Sequence, residues 1–194
     1  MKLVDDNMRK LGLAIILAGL MIVILGVGKY FEESLRTATL TQNSMVEFKQ
    51  YDILDGKIKY KLPSSWLTTI KENKDDKIVY LNEFVSDDAN TYGSIELISS
   101  SEGVKATIDK CIADVEGMGI KDYKKEKVKI DNIELDYIKY DLKSSKENVK
   151  RTYEYYVPYD DYVARITFII SDKKARENTQ VVFENIVKTF SFEK

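Results

Sequence analysis

The sequence predicts an α+β domain behind an N-terminal transmembrane helix. The domain is an antiparallel sheet of about six to seven strands with helices packed on both faces. Three observations carry this. Residues Leu11–Val27 form an unbroken apolar run. Beyond about Tyr51, alternating or continuously apolar runs are separated by tight-turn signals, the mark of antiparallel strands. Two other stretches, from Val104 and from Asp172, repeat their apolar residues at helical spacing.

The run Leu11–Val27 (LGLAIILAGLMIVILGV) has no polar side chain over 17 residues. As a helix it is about 25 Å long, slightly short of a hydrocarbon core about 30 Å thick. Met8 and Gly28 extend it, Arg9, Lys10 and Lys29 can snorkel, and Tyr30 and Phe31 fall where an aromatic belt sits. A cleaved signal peptide has a shorter apolar region, about 7–15 residues, and a small-x-small site. Gly26-Val27-Gly28 is a poor site, and no Cys follows for a lipoprotein. The run is apolar on all faces, so it reads as an uncleaved anchor ahead of a buried soluble helix.

Lys2, Arg9 and Lys10 precede the run; Lys29 and Arg36 follow it. The excess before the span puts the N-terminus in the cytoplasm and the long C-terminal part outside. The expected organisation is a cytoplasmic tail at 1–10, the span at 11–28, a juxtamembrane tether at 29–50 and an extracytoplasmic domain at 51–194. Thr39, Thr41, Gln42, Asn43 and Ser44 interrupt any periodicity in the tether. Some 20 flexible residues reach about 25 Å, which holds the domain near the membrane. Gly12, Gly19 and Gly26 recur every seven residues and share one face of the span, a candidate for helix–helix packing. Gly is also common in such helices, and no Gly-xxx-Gly accompanies the stripe.

The domain starts with strict alternation in Lys57-Ile58-Lys59-Tyr60-Lys61-Leu62. Ile58, Tyr60 and Leu62 share one face and three lysines the other, as in a half-buried strand. Asp55-Gly56 is a hairpin signal that pairs this strand with Tyr51–Leu54. Pro63 has no N–H for a ladder and ends the strand. Trp66 reads as a plug at the core edge. Ile78–Val85 (IVYLNEFV) is apolar in both phases, which predicts cover on both faces. Ser94–Ile98 is a shorter strand. Asp87, Asp88 and Asn90 between them lack the spacing of a calcium loop and read as a turn.

Val104, Ile108, Cys111, Val115 and Met118 make one helical stripe, with Ser101 as cap and Gly117 or Gly119 as stop. Cys111 inside the stripe reads as a small buried hydrophobe. Four strands follow, at Tyr123–Ile130, Ile133–Leu142, Lys150–Val157 and Tyr162–Ile170. Asp131-Asn132 and Pro158-Tyr159-Asp160-Asp161 are their tight turns. The apolar phase switches between Tyr137 and Ile138; a bulge or burial on both faces explains that. A last helix, about Asp172 to Phe190, carries Ala175, Thr179, Val182, Phe183, Ile186, Val187 and Phe190 on one stripe, and Asp172 can cap it. About 145 residues bury nearly 70% of their extended-chain surface, enough to fold without a staple.

The hairpin and strand exit Tyr51-Asp52-Ile53-Leu54-Asp55-Gly56-Lys57-Ile58-Lys59-Tyr60-Lys61-Leu62-Pro63-Ser64-Ser65-Trp66 and the closing Ile186-Val187-Lys188-Thr189-Phe190 resemble the PsbP-like superfamily. The carrying pattern is aromatic-x-Leu-Pro-x-x-Trp, and the resemblance spans roughly Tyr51 to Phe190. It implies an α/β/α sandwich around an antiparallel sheet. The superfamily includes an extrinsic photosystem subunit, a nuclear-transport factor that binds a small GTPase, and chaperones for secreted effectors. These act mostly by binding protein and share no catalytic motif, so no functional residue carries over. The membrane anchor departs from the soluble photosystem subunit.

Chemistry is sparse. The 194 residues include no His and one Cys. That excludes Ser-His-Asp and Cys-His catalysis, His-ligated metal, an intramolecular disulfide and Cys-rich zinc. With no His partner, Cys111 has little support as a reactive thiol. There is no P-loop, dinucleotide turn or nucleophile elbow. The net charge of −2 divides into +2 over residues 1–30 and −4 over the remainder, with no basic stripe for nucleic acid. Glu134 and Asp136 share a strand face but read as solvated. Tyr153, Tyr155, Tyr156, Tyr159 and Tyr162 cluster on one hairpin and form a candidate partner surface. Tyr153 and Tyr155 share a face and Tyr156 takes the other; strand composition equally suits rings packed under helices, and favours that.

No catalytic, cofactor or metal site is implied. The expectation is a non-catalytic, membrane-anchored extracytoplasmic module that binds protein or assists assembly. Its partners are the bilayer, through Leu11–Val27, and a protein. The alternative is an extracytoplasmic sensory or small-ligand-binding domain coupled to a membrane partner. A hydrolase built on carboxylates or a Ser/Lys pair has no supporting spacing.

Overall fold

The computed structural model describes residues 47–72, 77–131, 133–145, 148–176 and 178–193. The apolar run Leu11–Val27, with Gly12, Gly19 and Gly26, lies outside the described residues. Among the described residues, no helix is long and apolar enough to cross a membrane.

Strands β1 (Phe48–Ile53) and β2 (Ile58–Pro63) form the expected hairpin. Leu54, Asp55 and Gly56 all take positive φ there, 52°, 55° and 89°, and glycine supplies the largest of these without strain. β1 begins at Phe48, so it reaches back into the stretch read as tether. Pro63 is the last residue of β2. Trp66 stacks on Phe84 with ring centroids 5.2 Å apart, as a plug at the core edge would.

Four strands then precede the closing hairpins: β3 (Leu67–Lys71), β4 (Ile78–Val85), β5 (Thr91–Ser99) and, after helix α1 (Gly103–Glu116), β6 (Ile120–Ile130). β7 (Ile133–Ser145), β8 (Asn148–Tyr159) and β9 (Tyr162–Ser171) follow. A 3-10 turn at Asp172–Lys174, helix α2 (Thr179–Val187) and the two-residue β10 (Ser191–Phe192) close the chain. Seven strands make one antiparallel sheet in the order β3-β4-β5-β9-β8-β7-β6, and β1-β2-β10 make a second, small sheet.

The large sheet is buried on both sides, by different partners. On one side Tyr137, Tyr153, Tyr155, Ile166 and Phe168 meet the small sheet and α2, through Tyr60, Leu62, Phe183 and Val187. Phe168 and Phe183 stack 4.2 Å apart with an interplanar angle of 4°. On the other side Ile138, Tyr140, Tyr156 and Val163 meet α1, through Val104, Ile108, Cys111, Ile112 and Val115. The helices therefore lie on opposite faces. The phase switch at Tyr137-Ile138 is burial on both faces: pairing to β6 and β8 runs through it without a bulge.

Several expectations need correction. Ile78–Val85 is covered on one face only, with Val79 and Val85 exposed, because α1 packs over β7–β9 and stops short of β4. Met118 is exposed in the turn beyond the C-cap Gly117. Residue Glu102, not Ser101, stands at the N-cap of α1, and its side chain makes no cap bond. The last helix is broken, and Asp172 caps nothing: its carboxylate is 2.6 Å from the Arg151 guanidinium. Thr179 Oγ1 accepts the Arg176 N–H at 2.8 Å and helps to restart the chain as α2.

Gly93 of β5 is held by close approach. A Cβ there would fall 1.8 Å from the Thr167 carbonyl oxygen and 2.9 Å from Phe84 Cζ. Gly93→Ala is expected to cost at least about 1–3 kcal/mol in urea unfolding of the full chain, as overpacking does. Gly117→Ala, with nothing within 4 Å, should leave stability near wild type. Equal stabilities for the two variants would refute this close approach.

Candidate functional site

The hairpin tyrosines do not form one surface. Tyr153, Tyr155 and Tyr156 are buried, so as a partner surface they are a correction: the central strand that carries them is covered on both sides. Tyr153 meets Phe183 edge-on at 5.2 Å, and Tyr155 lies 5.1 Å from Tyr137. Tyr156 faces the other way, under α1. Burial pushes the Tyr155 and Tyr156 phenols well above their ordinary range. Tyr159 and Tyr162 are half-buried and pack against the larger core. Tyr159 stacks on Phe192 at 5.3 Å and donates to the Glu193 carbonyl at 2.8 Å.

A polar layer missed by the sequence reading lies on the α1 side of the sheet. Glu154, fully buried, takes Tyr156 Oη on Oε2 at 2.7 Å. Its Oε1 takes Tyr140 Oη at 3.2 Å and Arg165 Nη2 at 2.5 Å. Arg165 Nη1 stands 3.5 Å from Glu96, and Ser94 Oγ donates to Glu96 at 2.9 Å. The guanidinium also lies 5.9 Å from the Tyr156 ring centroid. Burial alone would weaken the Arg165 charge, but Glu154 foremost, with Tyr156, Cys111 and Glu96, holds it above its ordinary value. Arg165 lies diagonally across from Glu154 on the neighbouring strand, since Thr167 is directly opposite Glu154 and Tyr156 opposite Arg165.

This layer does not read as catalytic. Glu96 and Glu154 converge on one arginine, which binds both carboxylates. Burial pushes the Cys111 thiol up, despite Arg165 and a hydrogen bond with Tyr156, whereas a reactive thiol needs its acidity raised. A cavity of about 260 Å³ sits at the N-terminal end of α1, walled by Glu96, Ile98, Thr107, Cys111 and Arg165 among others. That is below the roughly 300–1,000 Å³ of ligand pockets. A second, more open depression of about 760 Å³ near Ile112, Ala113, Ile120 and Tyr123 has an acidic rim at Asp109 and Glu116. Among the described residues, no group of three or more His, Cys, Asp or Glu could hold a metal ion.

The exposed side chains are distributed unevenly. Leu67, Ile70, Val79 and Val85 all lie on β3 and β4, at one edge of the large sheet. Leu67, at 75% exposure, is the most open large hydrophobic among the described residues. The opposite edge, β6, carries Lys121, Lys124, Lys125, Lys127 and Lys129 and a register shift between Lys121 and Lys124.

The solved structures give the fold a class. The chain is similar to the solution structure of cyanobacterial PsbP (CyanoP) from Synechocystis, with TM-score 0.55 and 8% identity over 76% of this chain and 94% of that one. It is also similar to a crystal structure from Bacteroides thetaiotaomicron, with TM-score 0.52 and 13% identity over 75% of this chain and 48% of that one. The described domain therefore shares the fold of these structures. No protein-family model and no curated protein sequence matches the chain.

Glu154 and Arg165 test whether the polar layer is structural. Breaking a buried pair from one side strands a charge and costs about 3–5 kcal/mol, while replacing both partners is often near neutral. Glu154→Leu should therefore lower urea-unfolding stability by that amount, and Glu154→Leu with Arg165→Met should restore most of it. Additive losses in the double variant would refute the pairing.

Proposed function

We propose that this chain is a non-catalytic module that works by binding protein. In this reading residues 1–10 are a cytoplasmic tail, 11–28 the membrane anchor, 29–50 a tether and 51–194 an extracytoplasmic domain. The apolar run Leu11–Val27 and the excess of positive charge before it support the anchor and its direction.

One observation carries the binding function. Leu67, Val79 and Val85 are exposed on one face at the β3–β4 edge of the large sheet, and Ile70 is exposed at the same edge on the other face. Exposed apolar side chains grouped in this way support an interaction site. The cavity beside Arg165 is small for a ligand, so the sensory alternative would use the larger depression near Tyr123.

Two measurements test this reading. A reporter fused after Lys194 should be active in its extracytoplasmic form and silent in its cytoplasmic form; the reverse would overturn the orientation. A photocrosslinking residue at Val85, in the native membrane, should yield a discrete protein adduct, whereas one at Lys127 should not. Repeated absence of any Val85 adduct would count decisively against protein binding.

A further inference from the structure

We propose that the depression between the flank of α1 and the start of β6 binds a linear diamine, one ammonium at Asp109 and the other at Glu116. This goes beyond the protein-binding reading, which concerns the β3–β4 edge at the other side of the large sheet.

The depression holds about 760 Å³, within the roughly 300–1,000 Å³ of ligand pockets. One wall is a stripe of α1. Asp109, Ile112, Ala113 and Glu116 stand at i, i+3, i+4 and i+7, so they share one flank of the helix. Ile120 and Tyr123 of β6 complete the lining. The register shift between Lys121 and Lys124, with Asp122 at φ 50°, is a bulge, the device by which a strand re-aims a side chain. Tyr123 lies within it and is 46% exposed.

The field here is negative and uncompensated. Among the described residues, no cation pairs with Asp109 or Glu116, and no lysine lines the depression. Lys124, next to Tyr123, is engaged 2.9 Å from Glu126. Glu116 is the last residue of α1, at the negative end of the helix dipole, and the last turn holds no basic residue. An acid in that position works against the helix unless a cation joins it. The Tyr123 phenol registers the same field: burial foremost, then Asp109, Glu154 and Glu116, raise it above its ordinary value.

Spacing sets the class of ligand. Seven residues of helix rise about 10 Å, with Ile112 and Ala113 between the two carboxylates. A monoamine meets one carboxylate and leaves the other alone. A methylene chain with an ammonium at each end repeats the order of the wall: charge, apolar, charge. Its methylenes cover Ile112, Ala113 and Ile120, and the Tyr123 ring adds apolar area and a cation–π partner.

The test uses full-length protein in phosphatidylcholine discs, labelled at the isoleucine δ-methyls and titrated with hexamethylenediamine or hexylamine, with empty discs as blank. Saturable shifts are expected at the Ile112 and Ile120 methyls, and the diamine should bind at least fivefold tighter than hexylamine. Glu116→Gln should weaken the diamine at least fivefold and bring the two ligands within twofold of each other. Glu116 is exposed, and an unchanged melting temperature verifies the fold. Asp55→Asn, remote in the β1–β2 turn, should leave both affinities unchanged. Shifts that do not saturate, equal wild-type affinities for the two ligands, or a preference for the diamine that survives Glu116→Gln would overturn the proposal. So would an equal loss in Asp55→Asn, which would mark a response to net charge alone. The Val85 crosslinking result is indifferent to each of these outcomes.

Discussion

Tyr155 and Tyr156 are chain neighbours, both fully buried, on opposite sides of one sheet. Burial of β8 and β9 on both faces is the constraint to which the rest of the domain answers. A sheet of this kind needs two covers. One is α1; the other is assembled from α2 and the small three-stranded sheet. The same constraint decides the fate of any polar residue on these strands. Glu154 lies where water cannot reach, so it is held by Arg165, Tyr140 and Tyr156 together. A lone carboxylate in that place would cost several kcal/mol.

Covering both faces uses up the interior and leaves the edges as the places where the domain can act. The two edges of the large sheet have opposite chemistry. β6 is a lysine-rich strand with an interrupted register, poorly suited to accept another strand. β3 is short and regular, with Leu67 and Ile70 exposed and a single lysine. The polar layer under α1 ties β5, β7, β8 and β9 to one another through Glu96, Tyr140, Glu154, Tyr156 and Arg165.

Much of this fold was legible because the signals were strong and local. The alternation from Lys57 to Leu62, the Asp55-Gly56 turn and the apolar run Ile78–Val85 each marked an element directly. Illegible features shared a physical cause. β3 has no buried residue among its five, so no periodic burial pattern marks it. β10 has two residues and exists only by pairing with β2. The last helix is interrupted at Ala175, which is extended, after a 3-10 turn whose Asp172 pairs with Arg151 on β8, a long-range contact that no local pattern reveals. The pairing of Glu154 with Arg165 was hidden by a diagonal register, although a lone Glu between Tyr153 and Tyr155, and a lone Arg between Ala164 and Ile166, were its trace. The tyrosine cluster misled because tyrosine suits both a buried strand and a binding surface.

A closed, two-faced core with activity at one open edge is tested most directly by amide hydrogen exchange. Amides of Tyr153–Val157 should be among the slowest in the protein, and those of the edge residues Thr68–Ile70 should exchange much faster. Fast exchange in β8, or equal protection of the two strands, would contradict it.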